Sequence, residues 1–159
     1  MTEADLARAI GRSQAIAETL LRSRTRLAPL FPLDAARVAA LAEEEREALD
    51  AFLKRFENLV NHLQDQVFRL AVDHARAGDT AGMSRRDVLD YLEKIGALES
   101  ADAVLDATRA RNRLAHVYPD EPERQAGQLN RVFATSAAAL DAVRSVRDWA
   151  RREGILPPA

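Results

Sequence analysis

Residues 49–70 read LDAFLKRFENLVNHLQDQVFRL, and the apolar positions Leu49, Phe52, Phe56, Leu59, Leu63, Val67 and Leu70 recur three and four residues apart. That spacing sets one large side chain per turn on a single helical face, a seam that other helices must cover. The pattern extends back to Asp34, a residue type that caps helix starts, and forward to about Arg76. One very long helix over this range is the expectation, with the acidic run Glu43 to Glu47 as the place for a bend.

Outward from the seam the same logic repeats. Thr2 can cap a first helix carrying Leu6, Ile10, Ala17, Leu20 and Leu21, which must end before Pro29 and Pro32, leaving Pro29 to Leu33 as a connection. Ala77 to Met83, with Gly78 and Gly82, reads as a loop. Ser84 with Asp87 three residues on resembles a capping box, and Gly96 closes the short helix it opens. Ser100 and Asp102 open the next helix, expected to reach about His116 before Pro119 stops it. A last helix from about Pro122 carries Leu129, Val132, Phe133, Leu140, Val143 and Val146, and Gly154 to Ala159 is expected to fray. With six glycines, six prolines and no strand pattern, the chain reads as all-α.

A length of 159 residues suits a single domain. The net charge is −2, so the molecule as a whole does not attract nucleic acid, and any RNA binding has to come from a local patch. Cysteine is absent, which excludes disulfides and thiolate metal sites. Glu3 and Asp5 interrupt the first ten residues, so no signal peptide is expected, and no run has the length of a membrane span; the expectation is a soluble, cytoplasmic protein.

The chemistry concentrates in Arg109-Ala110-Arg111-Asn112-Arg113-Leu114-Ala115-His116-Val117-Tyr118-Pro119. Arginine presents a permanently charged planar fork that matches phosphate, and histidine exchanges protons near neutral pH, so together they have the parts for phosphodiester chemistry. A helical wheel at 100° per residue puts Ala101, Val104, Leu105, Thr108 and Ala115 on one face and Arg111, Asn112 and His116 on the same arc, with Arg109 and Arg113 at its exposed edge. Arg111 and His116 are five apart and point roughly 140° away from each other on a regular helix. Either the last turn distorts, or two copies of the helix meet to line a shared groove, which implies a symmetric dimer. The residue types alone fit equally well a plain helix end, where basic groups meet exposed carbonyls and the negative end of the macrodipole.

Other candidates read more simply. His62 and His74 lie twelve apart with no third ligand at a recognisable spacing, so they read as core or solvated histidines and no metal site is expected. Asp65 and Asp73 read as a solvated face, Gly127 as a point of close helix contact, and Trp149 as an aromatic clip holding the last helix to the bundle.

Arg111-Asn112-Arg113-Leu114-Ala115-His116-Val117-Tyr118 resembles the Arg-x-x-x-x-His-x-Tyr motif of HEPN-domain proteins, specifically the HepT-like toxins paired with small MNT-type nucleotidyltransferase antitoxins. The likeness extends more weakly over Arg55-Phe56, over Ser84 to Gly96 with Leu98-Glu99-Ser100, and over the helix after Pro119, or about residues 50–147. Residues before about 48 then form an N-terminal helical extension. The resemblance implies an antiparallel four- or five-helix bundle that dimerises into a metal-independent endoribonuclease without a cofactor. In that scheme His116 assists proton transfer between the ribose 2′-hydroxyl and the scissile phosphate, Arg111 stabilises charge on the phosphoryl oxygens, and Asn112 orients the phosphate or the imidazole. Arg109 and Arg113 hold the RNA backbone, and Tyr118 occupies the position that the partner modifies with AMP to silence the toxin. Two alternatives carry different consequences: a non-catalytic substrate-binding or scaffolding partner of a nucleotidyltransferase, and a helical dimer whose basic cluster only satisfies helix ends.

Overall fold

The computed structural model describes residues 2–76, 80–116, 118 and 120–159, and among these every regular element is helical. In chain order they are α1 (Glu3–Leu27), a 3₁₀ turn (Ala28–Leu30), α2 (Ala35–Ala39), α3 (Glu43–His62), a π-helical turn (Leu63–Val67), α4 (Phe68–Arg76), α5 (Arg85–Lys94), α6 (Ala101–Arg113) and α7 (Pro122–Arg152). Among the described residues no helix is long and apolar enough to cross a membrane.

The seam is the core. Phe52, Phe56, Leu59 and Val67 are completely buried, as are Ile10 and Leu20 of α1. Helix α1 runs antiparallel to α3: the Ala9 carbonyl meets His62 and Ser23 meets Arg55. It also lies against α7, where the Arg24 Nε donates to Ser136 Oγ at 3.0 Å and the guanidinium sits 4.4 Å from the Phe133 ring centre. The N-terminal residues therefore supply one wall of the core rather than an appendage to it.

The expected single helix from Asp34 to Arg76 is broken, and the acidic run explains where. Asp34 caps only the five residues of α2, after which the chain leaves helical geometry at Ala40 and is extended at Ala42. Glu43, Glu44 and Glu45 then form the first turn of α3, where negative charge is favoured by the exposed N–H groups, and Glu45 accepts from the Ala42 N–H at 2.9 Å. The acidic run is a helix start rather than a bend within a helix. Further along, the chain widens into the π-helical turn, whose Gln64 amide donates to Thr108 Oγ1 on α6.

Other local expectations meet the structure directly. Thr2 and Ser84 form capping boxes with Asp5 and Asp87, and Ser100 caps α6 by accepting from the Ala103 N–H. Gly96, at φ +82°, closes α5 in a Schellman arrangement: the Ala97 N–H reaches the Leu92 carbonyl and the Gly96 N–H that of Glu93. The same motif closes α7 around Gly154, so the tail does not fray at once: Ile155 donates to the Ala150 carbonyl and is buried. Trp149 is buried with its ring edge-on to His74. Gly127 makes no close contact, since a Cβ there would meet nothing within 4 Å. Residues 77–79 of the expected loop lie outside the described residues.

The connection between α1 and α2 is fixed to α7 from two sides. Phe31 stacks on Phe133 with ring centres 4.1 Å apart, and Phe52 is tilted against both. Asn130 accepts from the Leu33 N–H at 2.7 Å and donates to the Leu33 carbonyl at 2.8 Å, replacing a strand partner for an isolated extended residue. Asn130→Ala leaves both groups unpaired and is expected to lower stability by about 1–3 kcal/mol in urea denaturation, with an unchanged m-value.

Glu45 gives a pH-dependent counterpart. Its carboxyl is held below the usual range, first by the Ala42 N–H and also by Arg37, whose Nη2 lies 2.6 Å from it. A depressed folded value means that this contribution is complete above the ordinary glutamate value of about 4.3 and is lost as pH falls through the lower folded value. The stability advantage of wild type over Glu45→Gln at pH 7 is therefore expected to shrink in denaturation curves taken progressively below that range.

Candidate functional site

Helix α6 ends at Arg113, three residues before the expected stop at His116. The next three N–H groups, of Leu114, Ala115 and His116, bond to the carbonyls of Arg111, Asn112 and Arg113, so the chain tightens to three residues per turn. The end of α6 does distort, and the tightened turn leaves Arg111 outside the cleft that His116 lines.

Gln128 of α7 holds this tightened end. Its amide donates to the Arg113 carbonyl at 2.8 Å, which also accepts from the His116 N–H, and to the His116 carbonyl at 3.2 Å. One turn earlier, the Gln125 amide donates to the Tyr118 carbonyl, which also accepts from the Glu121 N–H at 3.2 Å. Half-buried Tyr118 carries the Arg124 guanidinium 4.9 Å from its ring centre. Val117 and Pro119 lie outside the described residues.

His116 and Tyr118 share a cleft of about 350 Å³ between the end of α6 and helices α2, α3 and α7. Its apolar lining includes Leu41, Leu49 and Leu53, its charged side chains are Arg46 and Asp50, and the His116 imidazole also faces it. Arg46 is tethered at one end, donating to the Val38 carbonyl at 3.1 Å.

Arg111 does not line that cleft. It is half-buried, its Nη1 donates to Asn112 Oδ1 at 3.0 Å, and its Nε is buried without a hydrogen-bond partner. The wheel is corrected in detail: the buried stripe of α6 is Ala101, Val104, Ala107, Thr108 and Ala110, while Asn112, Ala115 and His116 are exposed. Extending a regular helix past Arg113 is what placed His116 with the core residues. Arg109 is exposed and pairs with Asp106 at 3.5 Å, and exposed Arg113 forms no ion pair among the described residues.

The structure thus brings His116 and Tyr118 together, joins Arg111 to Asn112, and separates the two pairs within one protomer. Arg46, Asp50, Arg124, Gln125 and Gln128 escaped the sequence reading because nothing local marks a residue on a distant helix as a neighbour of His116. Among the described residues no group of three or more histidine, aspartate or glutamate side chains could hold a metal ion.

No family model matches the chain, and neither the curated proteins nor the solved structures contain a match to it.

Gln128→Ala is expected to free the α6 end: amide hydrogen exchange at Leu114 to His116 should speed up severalfold while exchange in α3 is unchanged. The associated stability loss is about 0.5–1.5 kcal/mol, because both acceptors can turn to water.

Proposed function

We propose that this chain is a metal-independent endoribonuclease of the HEPN type, a toxin that acts as a symmetric dimer. The reading starts from the resemblance of Arg111 to Tyr118 to the HepT-like motif and is supported by one geometric observation. His116 opens on a cleft while Arg111, an arginine with a buried Nε that has no hydrogen-bond partner, does not line it in the same protomer. A second copy related by a twofold axis supplies the missing half: the Arg111 of one chain meets the His116 of the other.

At such a composite site the 2′-hydroxyl attacks the adjacent phosphorus, a bond forms from the 2′-oxygen, and the bond to the 5′-oxygen breaks. His116 takes the 2′-hydroxyl proton and passes it to the departing 5′-oxygen, leaving a 2′,3′-cyclic phosphate and a 5′-hydroxyl, and Arg111 neutralises charge building on the non-bridging oxygens. Asn112, bonded to Arg111, fixes the direction of the guanidinium. Arg109 and Arg113 contact the backbone without reading sequence. Tyr118, beside His116 in the cleft, is the acceptor through which an MNT-type nucleotidyltransferase antitoxin adds AMP; the bulk and charge of the adduct fill the space a substrate needs. The site of action is the cytoplasm.

Purified protein is expected to cleave single-stranded RNA in the presence of EDTA and to leave 2′-deoxy substrate intact. His116→Ala and Arg111→Ala should each lose about 10²-fold or more in rate. Mixing and refolding the two inactive variants together should restore cleavage, because a mixed dimer contains one intact trans site. Absence of cleavage by wild type, or equal cleavage by wild type and His116→Ala, counts against the nuclease; failure of the mixture alone counts against the shared site. A non-cleaving protein that co-purifies with a nucleotidyltransferase is the outcome expected of a scaffolding partner.

A further inference from the structure

The near-neutral total charge conceals an uneven pairing of arginines. Many are matched, as in Arg37 with Glu45, Arg86 with Asp102 and Arg144 with Asp141. Arg22 and Arg26 of α1 are exposed, and among the described residues neither forms an ion pair or a hydrogen bond. They are four residues apart on one helical face, where like charges repel weakly, and the negative end of α1 favours Arg26 in its last turn. Arg55 joins them from α3, reaching across to donate to Ser23 Oγ and to the Thr19 carbonyl.

These three guanidiniums, with Ser23, line a cleft of about 180 Å³ between α1 and α3. Ala48 and Ala51 keep the α3 wall low, and no carboxylate is among the lining residues. Arg55 is tethered through buried Ser23, which holds one fork in place while Arg22 and Arg26 stay free to close on a ligand. Three forks converging on an opening without a counter-ion match a phosphodiester chain, whose successive phosphates each accept paired N–H donors.

We infer that the Arg22, Arg26 and Arg55 cleft is a binding track for the phosphate backbone of single-stranded RNA, separate from the His116 cleft. The choice of RNA rests on the proposed function; the preference for phosphate stands on the cleft itself. The two clefts lie on different sides of α3, one against Ala48, Ala51 and Arg55 and the other against Arg46, Leu49, Asp50 and Leu53. A strand engaged at both is held at two points, so the track adds affinity without touching the reacting atoms.

The test is fluorescence anisotropy with a labelled 2′-O-methyl RNA, which lacks the attacking hydroxyl and is not consumed. Because Arg22 and Arg26 have no partners to lose, Arg22→Ala/Arg26→Ala should fold as wild type by circular dichroism. The expected result is severalfold weaker binding at low salt and a salt-dependence slope reduced by about 1.4, two contacts at about 0.7 each for a single strand. Arg22→Lys/Arg26→Lys should recover most of the slope. Unchanged affinity and slope in the alanine variant, or no binding by wild type, would overturn the inference. So would inorganic phosphate competing as well as RNA at equal phosphate concentration, which makes free phosphate the ligand. A wild type that binds through these arginines and yet cleaves no RNA removes the nuclease reading and leaves the track standing.

Discussion

The capture of the α6 end by Gln128 is the contact on which the site depends. Beyond the end of α6, one amide from the helix that passes alongside donates to the carbonyls of both Arg113 and His116. Beside this contact the backbone tightens to three residues per turn, and His116 lines a cleft walled by α2, α3 and α7 whose lining does not include Arg111. Because α7 is itself tied to the N-terminal half through Asn130, Phe133 and Ser136, the geometry at His116 is set by the whole bundle.

That linkage gives α1 a role in the site without any contact to it. Helix α1 packs along α3 and α7 through Leu6, Ile10 and Leu20, and the aromatic group of Phe31, Phe52 and Phe133 closes the end of this packing. Aromatic rings bury large areas and prefer stacked or tilted contact, so they fix separation and angle more tightly than aliphatic side chains do. The cleft at His116 is therefore walled by α2 and α3, elements held by residues that a motif-centred reading treats as an extension.

Much of the architecture was legible because it follows from local chemistry. Thr2 with Asp5, Ser84 with Asp87, and the glycine after α5 each satisfy backbone groups within a few residues, so sequence spacing alone locates them. The break before Glu43 was misread because good helix formers continue across it, and only the capture of the Ala42 N–H by Glu45 marks the restart. The α6 wheel failed for a related reason: nothing in Leu114 to His116 announces that Gln128, more than ten residues later, holds the carbonyls there. The cleft residues Arg46 and Asp50 were invisible because their proximity to His116 is tertiary. The basic residues at the helix end stand out in the sequence, but where Arg111 and His116 lie relative to the cleft required coordinates.

Arg111 and His116 stand in different surroundings within the chain. A half-buried guanidinium whose Nε finds no hydrogen-bond partner carries a desolvation cost that only a later contact can offset. A single chain built for local charge neutralisation would pair Arg111 with a nearby carboxylate, as Arg109 is paired with Asp106. Instead the bound partner of Arg111 is the neutral amide of Asn112, and among the described residues no carboxylate pairs with its charge.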